Sequence, residues 1–478
     1  MTDTIISPDN SLPRGHLHVL GICGTAMAAI ASLAKSCGWY VTGSDSGVYP
    51  PMSTFLQEQQ IDAFEGYDAN HLQPRPDLVL VGNAMSRGNV EVEALLDDGI
   101  PYISGPEFVG RYLLPNRHSI VVAGTHGKTS TSSLMAHVLE QAGLQPGFMI
   151  GGVPENFSGG AKLGTGAPFV LEGDEYDTAF FDKRSKFLHY RAETLILNNL
   201  EYDHADIFPD LESIKKQFQY LLRTVPSKGL VVVNGEDEAL ADVIGRGCWS
   251  KVVRFSEYQR GVDADWQWQA LAEDGSQMRL WYQGETWLET RWSMIGRHHV
   301  ANGCAVAAVA HAHGLSAVQV KQGFETFLGV RRRMTLVGTA KGVAVYDDFA
   351  HHPTAIAGVV ASLKARLLEA GRLWVVVEPR SNTMRTKIHE QRLPGCFLGA
   401  DFVRFVPPSQ RNLSEDEVLD AEWVCRVIDA DAEVLADAAA IIDDICTKSR
   451  EGDAVLILSN GGFEGIHQRL VDALQGNG

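Results

Sequence analysis

Basic charge is scarce in this chain: 41 Lys and Arg stand against 59 Asp and Glu, a net charge of −18 over 478 residues. Holding nucleic acid through phosphate contacts needs a basic face, and no basic tract occurs, so no nucleic-acid partner is expected. A phosphate-bearing ligand must then be held by a local site rather than by the overall field. Long apolar runs are missing as well. No stretch approaches the roughly twenty residues that span a bilayer. The segment Met1–Arg14 is polar, is broken by Pro8 and Pro13, and lacks the apolar stretch of a secretory leader. No membrane partner and a cytoplasmic location are the expectations. Cysteine is sparse and unpatterned. The seven (Cys23, Cys37, Cys248, Cys304, Cys396, Cys425 and Cys446) are odd in number and form no C-x-x-C pair. Neither a disulfide framework nor a structural zinc site is expected from them.

What the chain does contain is alternation. It is too long for one hydrophobic core, and strand-like apolar runs alternate with helical patterns along it. Three runs end in chemically loaded turns: His16–Leu20 before Gly21, Ser119–Ala123 before Gly124, and Leu373–Val377 before Glu378. This predicts an α/β fold of parallel sheets, with ligands at the carboxyl ends of the strands. Domain joints are expected near Leu114–Arg117 and Phe327–Arg333, giving domains 1–117, 118–326 and 327–478. Only Asp263–Trp292, rich in Trp, Gln, Thr and Tyr, reads as antiparallel strands within the middle domain.

The strongest local signal is Gly124-Thr125-His126-Gly127-Lys128-Thr129-Ser130, between a strand and the helical pattern Ser132–Ala142. A glycine loop there aims several backbone N–H groups at one point, at the positive end of a helix dipole. Lys128 is placed to bridge the outer phosphates of ATP, and the Thr129 hydroxyl to take a Mg2+ position. The acidic run Glu172-Gly173-Asp174-Glu175-Tyr176-Asp177 starts at a strand end, and Glu172 is the expected further metal ligand there. A third strand leads to Asn198-Asn199-Leu200-Glu201-Tyr202-Asp203-His204, where His204 can ligate a metal or orient phosphate. Near the N-terminus, Gly21-Ile22-Cys23-Gly24-Thr25-Ala26-Met27 follows a strand, and Ser44-Asp45 closes the next one. The glycines depart from G-x-G-x-x-G, so the turn supports a diphosphate-bearing nucleotide without establishing NAD.

These motifs, in this order, together with Gly296–Asn302, Gly329–Arg333 and Tyr346–Pro353, resemble the Mur ligase family of peptidoglycan enzymes over nearly the whole chain. The resemblance implies a Rossmann-like UDP-binding first domain, a central P-loop ATPase domain and a Rossmann-like C-terminal domain. It implies an ATP- and Mg2+-dependent amide ligase working through an acyl phosphate. Gly21, Gly24, Thr25 and Met27 would lie at the UDP diphosphate, and Ser44 and Asp45 near the nucleoside. Asn302, Arg333 and Asp348 would meet the adenine, phosphates and ribose of ATP, while Thr129, Glu172 and His204 hold the metal. Phe181–Phe187, Glu378–Arg385 and Leu458–Phe463 resemble the branch that joins UDP-N-acetylmuramate to the recycled murein tripeptide L-alanyl-γ-D-glutamyl-meso-diaminopimelate. The alternative is the L-alanine-adding branch of primary synthesis. Arg380 and Arg385, assisted by Ser381 and Asn382, can clamp the carboxylates of a peptide bidentately. A monomer or weak homodimer is expected. Asp182, His351 and His352 are candidates for a general base.

Overall fold

The computed structural model describes residues 15–367, 370–410 and 413–476. The polar segment Met1–Arg14 lies outside the described residues. Among the described residues, three large sheets follow one another in sequence order, with one separate two-stranded hairpin. The first comprises β1 (His16–Leu20), β2 (Tyr40–Asp45), β3 (Asp62–Glu65), β4 (Leu78–Val81) and β5 (Tyr102–Ser104), all parallel in the order β3-β2-β1-β4-β5. The reversal of order at β1 opens a crevice at its carboxyl end, where Gly21 turns the chain into the helix Thr25–Ser36.

The second sheet has ten strands. Its centre is β6 (His118–Ala123), flanked by β9 (Pro168–Gly173) and β12 (Thr194–Leu197), all parallel. Beyond β9 lie β7 (Gly147–Met149) and the antiparallel β8 (Ala161–Lys162). The hairpin of β10 (Asp177–Ala179) and β11 (Asp182–Ser185) stands apart. Beyond β12 follow β13 (Leu230–Asn234), β14 (Lys251–Glu257) and β15 (Trp266–Ala270), still parallel. Then β16 (Gln277–Tyr282) and β17 (Glu285–Arg291) turn antiparallel, so the Asp263–Trp292 segment extends the edge of this sheet. The central strands read as unbroken apolar runs because helices cover both faces: Ile120, Val121, Val122, Leu195, Ile196 and Leu197 are all buried. The helix Lys128–Gln141 is buried through Leu139, and it packs on Arg297–Ala312, an alanine-rich helix whose small side chains allow close approach.

The third sheet runs β18-β19-β23-β20-β21-β22. Its strands are β18 (Thr335–Ala340), β19 (Val343–Asp348), β20 (Leu373–Val377), β21 (Phe402–Phe405), β22 (Asp431–Val434) and β23 (Ala454–Leu458), with only the β18–β19 pair antiparallel. The chain passes from the second sheet to the third through backbone pairs that tie them together. Glu155 N–H donates to Gly329 O (3.0 Å) and Arg331 N–H to Val153 O (3.0 Å).

Candidate active site

The phosphate loop joins β6 to the helix Lys128–Gln141 at the carboxyl edge of the central sheet. Gly127 has φ +78°, and a Cβ there would lie 3.1–3.2 Å from the amide groups of Asn302 and Asn198, so glycine is required on both counts. The Asn198-Asn199 pair after β12 holds the loop in shape. Asn199 Oδ1 accepts from His126 N–H (2.7 Å), and Asn198 Nδ2 donates to Thr131 Oγ1 (3.0 Å).

Lys128 is buried and donates to Gly124 O (2.8 Å) and Glu175 Oε2 (3.0 Å). Glu175 is itself buried, and its other oxygen receives His204 Nε2 at 3.0 Å. Burial alone would raise the Glu175 carboxyl, but Lys128 and His204 pull it down to about 2. Burial alone would lower His204, yet Glu175 holds it above its ordinary value. Glu172 does not reach this pair. It accepts from Thr129 Oγ1 (2.7 Å) and Gly151 N–H (2.7 Å), and burial, reinforced by Asp174, raises its carboxyl. The acid beside His204 is therefore Glu175, which sequence reasoning placed behind Glu172. Four carboxylates crowd one short run, and only the turn between β9 and β10 decides which faces the lysine.

The third domain closes the cleft. Arg333 Nη2 lies 3.5 Å from Thr129 Oγ1, and its guanidinium sits over the Phe349 ring. Asn302 is buried against Gly127, beside the loop. Asp348 lines the cleft, but both its oxygens accept backbone N–H groups, from Met334 (2.7 Å) and Ala350 (2.8 Å). It thus shapes the loop that carries His351. Glu201 forms a cross-link missed in the sequence: it accepts from Thr354 Oγ1 (2.7 Å) and Arg392 Nη2 (3.2 Å) of the third domain and stands 3.5 Å from His126. His126, Glu201 and His352 come close enough to suggest a metal cluster. However, His352 already donates to Tyr202 O and accepts from Thr354 N–H, both at 3.3 Å, which leaves no lone pair for a metal.

In the first domain, the glycine turn is held by Asp45, whose oxygens accept from Cys23 N–H (2.9 Å) and Gly47 N–H (3.1 Å). Gly21, Gly24 and Thr25 line that turn and helix start, whereas Met27 is buried. Ser44 departs from its expected place near a nucleoside. Its side chain is buried and donates to Glu91, because strand alternation turns it into the domain while Asp45 faces the loop. On the third domain, Arg380 and Arg385 line one cavity of about 600 Å3 with Glu378, Asp437 and Glu464. Asn382 bridges back to the central domain through Asp206 (2.9 Å) and also accepts from Arg385 (3.2 Å). Ser381 serves a local turn, accepting from Met384 N–H (3.1 Å).

Three α/β domains, the second and third of them enclosing a phosphate-loop cleft with a buried lysine, two carboxylates and a histidine at its floor, define an ATP-using ligase. Family comparison agrees: the Mur ligase family catalytic domain matches residues 16–116, the Mur ligase middle domain 122–310, and the Mur ligase glutamate ligase domain 332–461. The chain belongs to the Mur ligase family. It is 46% identical over 458 residues to the UDP-N-acetylmuramate–L-alanyl-γ-D-glutamyl-meso-2,6-diaminoheptandioate ligase of Escherichia coli, covering 96% of this chain and 98% of that one. The crystal structure of a murein peptide ligase from Psychrobacter arcticus superposes with a TM-score of 0.71 at 41% identity, over 96% of this chain and 99% of that one. The UDP-N-acetylmuramate–L-alanine ligase of Rhizobium etli is 29% identical over 479 residues, covering 97% of this chain and 98% of that one. Among the described residues, no helix is long and apolar enough to cross a membrane.

Proposed function

We propose that this enzyme joins the lactyl carboxylate of UDP-N-acetylmuramate to the α-amine of L-alanyl-γ-D-glutamyl-meso-diaminopimelate, with ATP as the energy source. One observation carries the reading beyond the family. The nucleotide cleft, about 440 Å3, shares Tyr176, Asp203, His204, Phe349 and His351 with a second cavity of about 350 Å3 that is lined by Arg380, Ser381 and Asn382. An acid activated in the first cavity thus faces an amine whose carboxylates lie towards Arg380, with Arg385 in the adjoining cavity that Arg380 and Asn382 also line. L-Alanine alone needs no cavity of that extent, and the 46% identity falls on the tripeptide branch against 29% on the alanine branch.

In this scheme, residues 1–117 bind the UDP sugar, 118–326 bind ATP, and 327–478 bind the peptide and close the cleft. Lys128, released from Glu175, neutralises charge on the transferring phosphoryl group as the carboxylate attacks it. Backbone amides of Gly124–Ser130 orient the phosphates, and Arg333 reaches the same place from the third domain. Thr129 and Glu172 offer hard oxygen donors, and the excess negative charge around Glu172 suits a divalent cation; with His204 beyond, these residues would hold Mg2+. When bound, Mg2+ offsets phosphate charge. The amine then attacks the acyl carbon, and the tetrahedral intermediate expels phosphate. Closure of the third domain keeps water from the acyl phosphate.

The scheme is tested by labelling the lactyl carboxylate with 18O. One label is expected in the released phosphate. Phosphate free of label excludes attack of the carboxylate on ATP.

A further inference from the structure

An acyl phosphate meeting a peptide amine needs a group that takes a proton, because the α-ammonium ionises only near pH 7.7–8.0 and must present a lone pair. The place where this happens is narrowly defined. The acyl carbon lies between the phosphates and the incoming amine, and five residues line both cavities there: Tyr176, Asp203, His204, Phe349 and His351.

Four of the five are unsuited. Phe349 has no titratable group. Burial raises the Tyr176 phenol well above its ordinary range, so it stays protonated. Burial would raise Asp203, but His204 and the neighbouring histidines hold it at about 2, and one of its oxygens accepts His204 N–H (2.7 Å), which makes it a poor base. His204 keeps its Nε2 on Glu175. Two groups outside the seam are also engaged: Asp182 is held bidentately by Arg184 and meets His189 at 3.0 Å, and both nitrogens of His352 are bonded.

His351 differs. Its Nδ1 lies 3.0 Å from the Phe349 carbonyl, which can only accept, so Nδ1 carries the hydrogen and Nε2 presents a lone pair. No described residue bonds to Nε2. The ring is carried on a fixed backbone, since Ala350 N–H is tied to Asp348 and His352 caps the following helix.

We propose that His351 is the general base of amide formation, accepting through Nε2 the proton of the attacking amine. This rests on the acyl-phosphate reading above. The amine, having first lost its ammonium proton to solvent, forms the C–N bond with its lone pair while the carbonyl pair moves to oxygen. An N–H proton passes to His351 Nε2. The oxyanion then re-forms the carbonyl, the C–O bond to phosphate breaks, and phosphate leaves with that electron pair. The imidazolium returns its proton to water as product departs. Burial lowers the ring, with Arg333 and His126 pushing the same way and Asp203 opposing, so the ring is neutral at neutral pH. Tyr176, His204, Asp206 and Arg380 are the other titratable groups of the second cavity, and the nucleotide cleft adds Lys128, Glu172, Glu201, His298, His299, Asp348 and His352.

The test separates activation from transfer with hydroxylamine, a small nucleophile that is already neutral and traps the acyl phosphate as a hydroxamate. In His351→Gln, hydroxamate formation from UDP-N-acetylmuramate and ATP is expected to persist within about threefold. Amide formation should fall by about 10²–10⁴, and the acid limb of the kcat/KM profile for the peptide should lose one ionisation, keeping only that of the amine near pH 7.7–8.0, with partial rescue by added imidazole. His351→Asn, measured in parallel and checked for ATP binding by calorimetry, guards against a folding defect. Equal loss of hydroxamate and amide would make His351 a nucleotide-positioning residue and overturn the proposal, as would unchanged amide formation. A wild-type enzyme that makes amide but never hydroxamate would instead refute the acyl-phosphate reading, and the proposal with it.

Discussion

At the scale of single residues, the buried triad Lys128–Glu175–His204 sets the electrostatics of the cleft. Glu175 is held low, so its pairing contributes stability above its ordinary value of 4.5, lost as pH falls towards about 2. The raised His204 works in the opposite sense: its share is complete below 6.5 and fades as pH rises through the raised value. Glu175→Gln leaves the lysine with a weaker partner and is expected to cost about 2–3 kcal/mol at neutral pH, on the scale of a hydrogen bond to a charged group. The gap in Tm between the two proteins should close as pH is lowered from 4.5 towards 2, which thermal melts across that range would check. A gap independent of pH would mean that Glu175 acts through packing alone. The residue scale is also where the sequence was least legible. Lys128 and Thr129 could be named because glycine spacing, strand and helix all fall within a dozen residues. Glu175 could not, because choosing among adjacent acids depends on a turn fixed by tertiary packing, and Ser44 went astray through the two-residue period of a strand.

At the scale of elements, glycine positions mark where backbones press together. Gly110, in the short π-helix Val109–Leu113 near the end of the first domain, is one of them: a Cβ there would lie 2.2 Å from the His189 carbonyl of the central domain. Backbone cannot swing aside as a side chain can, so Gly110→Ala is expected to cost about 1–3 kcal/mol as overpacking. Calorimetry should show a lowered Tm together with weaker binding of the UDP sugar; an unchanged melt would mean that the first domain is not braced at this turn. Elements were more legible than residues. The strands β6, β9 and β12 announce themselves as apolar runs that end in loaded turns, because buried parallel strands need apolar side chains on both faces. The ten-strand breadth of the central sheet was not visible, since pairing of β14 with β15, or β7 with β9, joins segments whose own sequences carry no mark of the partner.

At the scale of the whole molecule, the cleft exists only where the domains meet. Arg333 reaches Thr129, Thr354 and Arg392 reach Glu201, and Asn382 reaches Asp206, each from the third domain to the central one. Such rim contacts are individually worth about 0.2–1 kcal/mol, which suits a domain that must open for substrates and close for chemistry. The same closure sets the choice of amine, because the cavity of Arg380, Ser381 and Asn382 joins the nucleotide cleft at Tyr176, Asp203, His204, Phe349 and His351, and Arg380 and Asn382 also line the neighbouring cavity that holds Arg385. The most direct measurement is phosphate release with ATP, Mg2+ and UDP-N-acetylmuramate, supplied with either the diaminopimelate tripeptide or L-alanine. Turnover is expected with the tripeptide, with kcat/KM at least about tenfold above that for alanine, the equivalent of one carboxylate contact of about 1.4 kcal/mol. Efficient turnover with alanine and none with the tripeptide would contradict the assignment and place the enzyme in the alanine-adding branch.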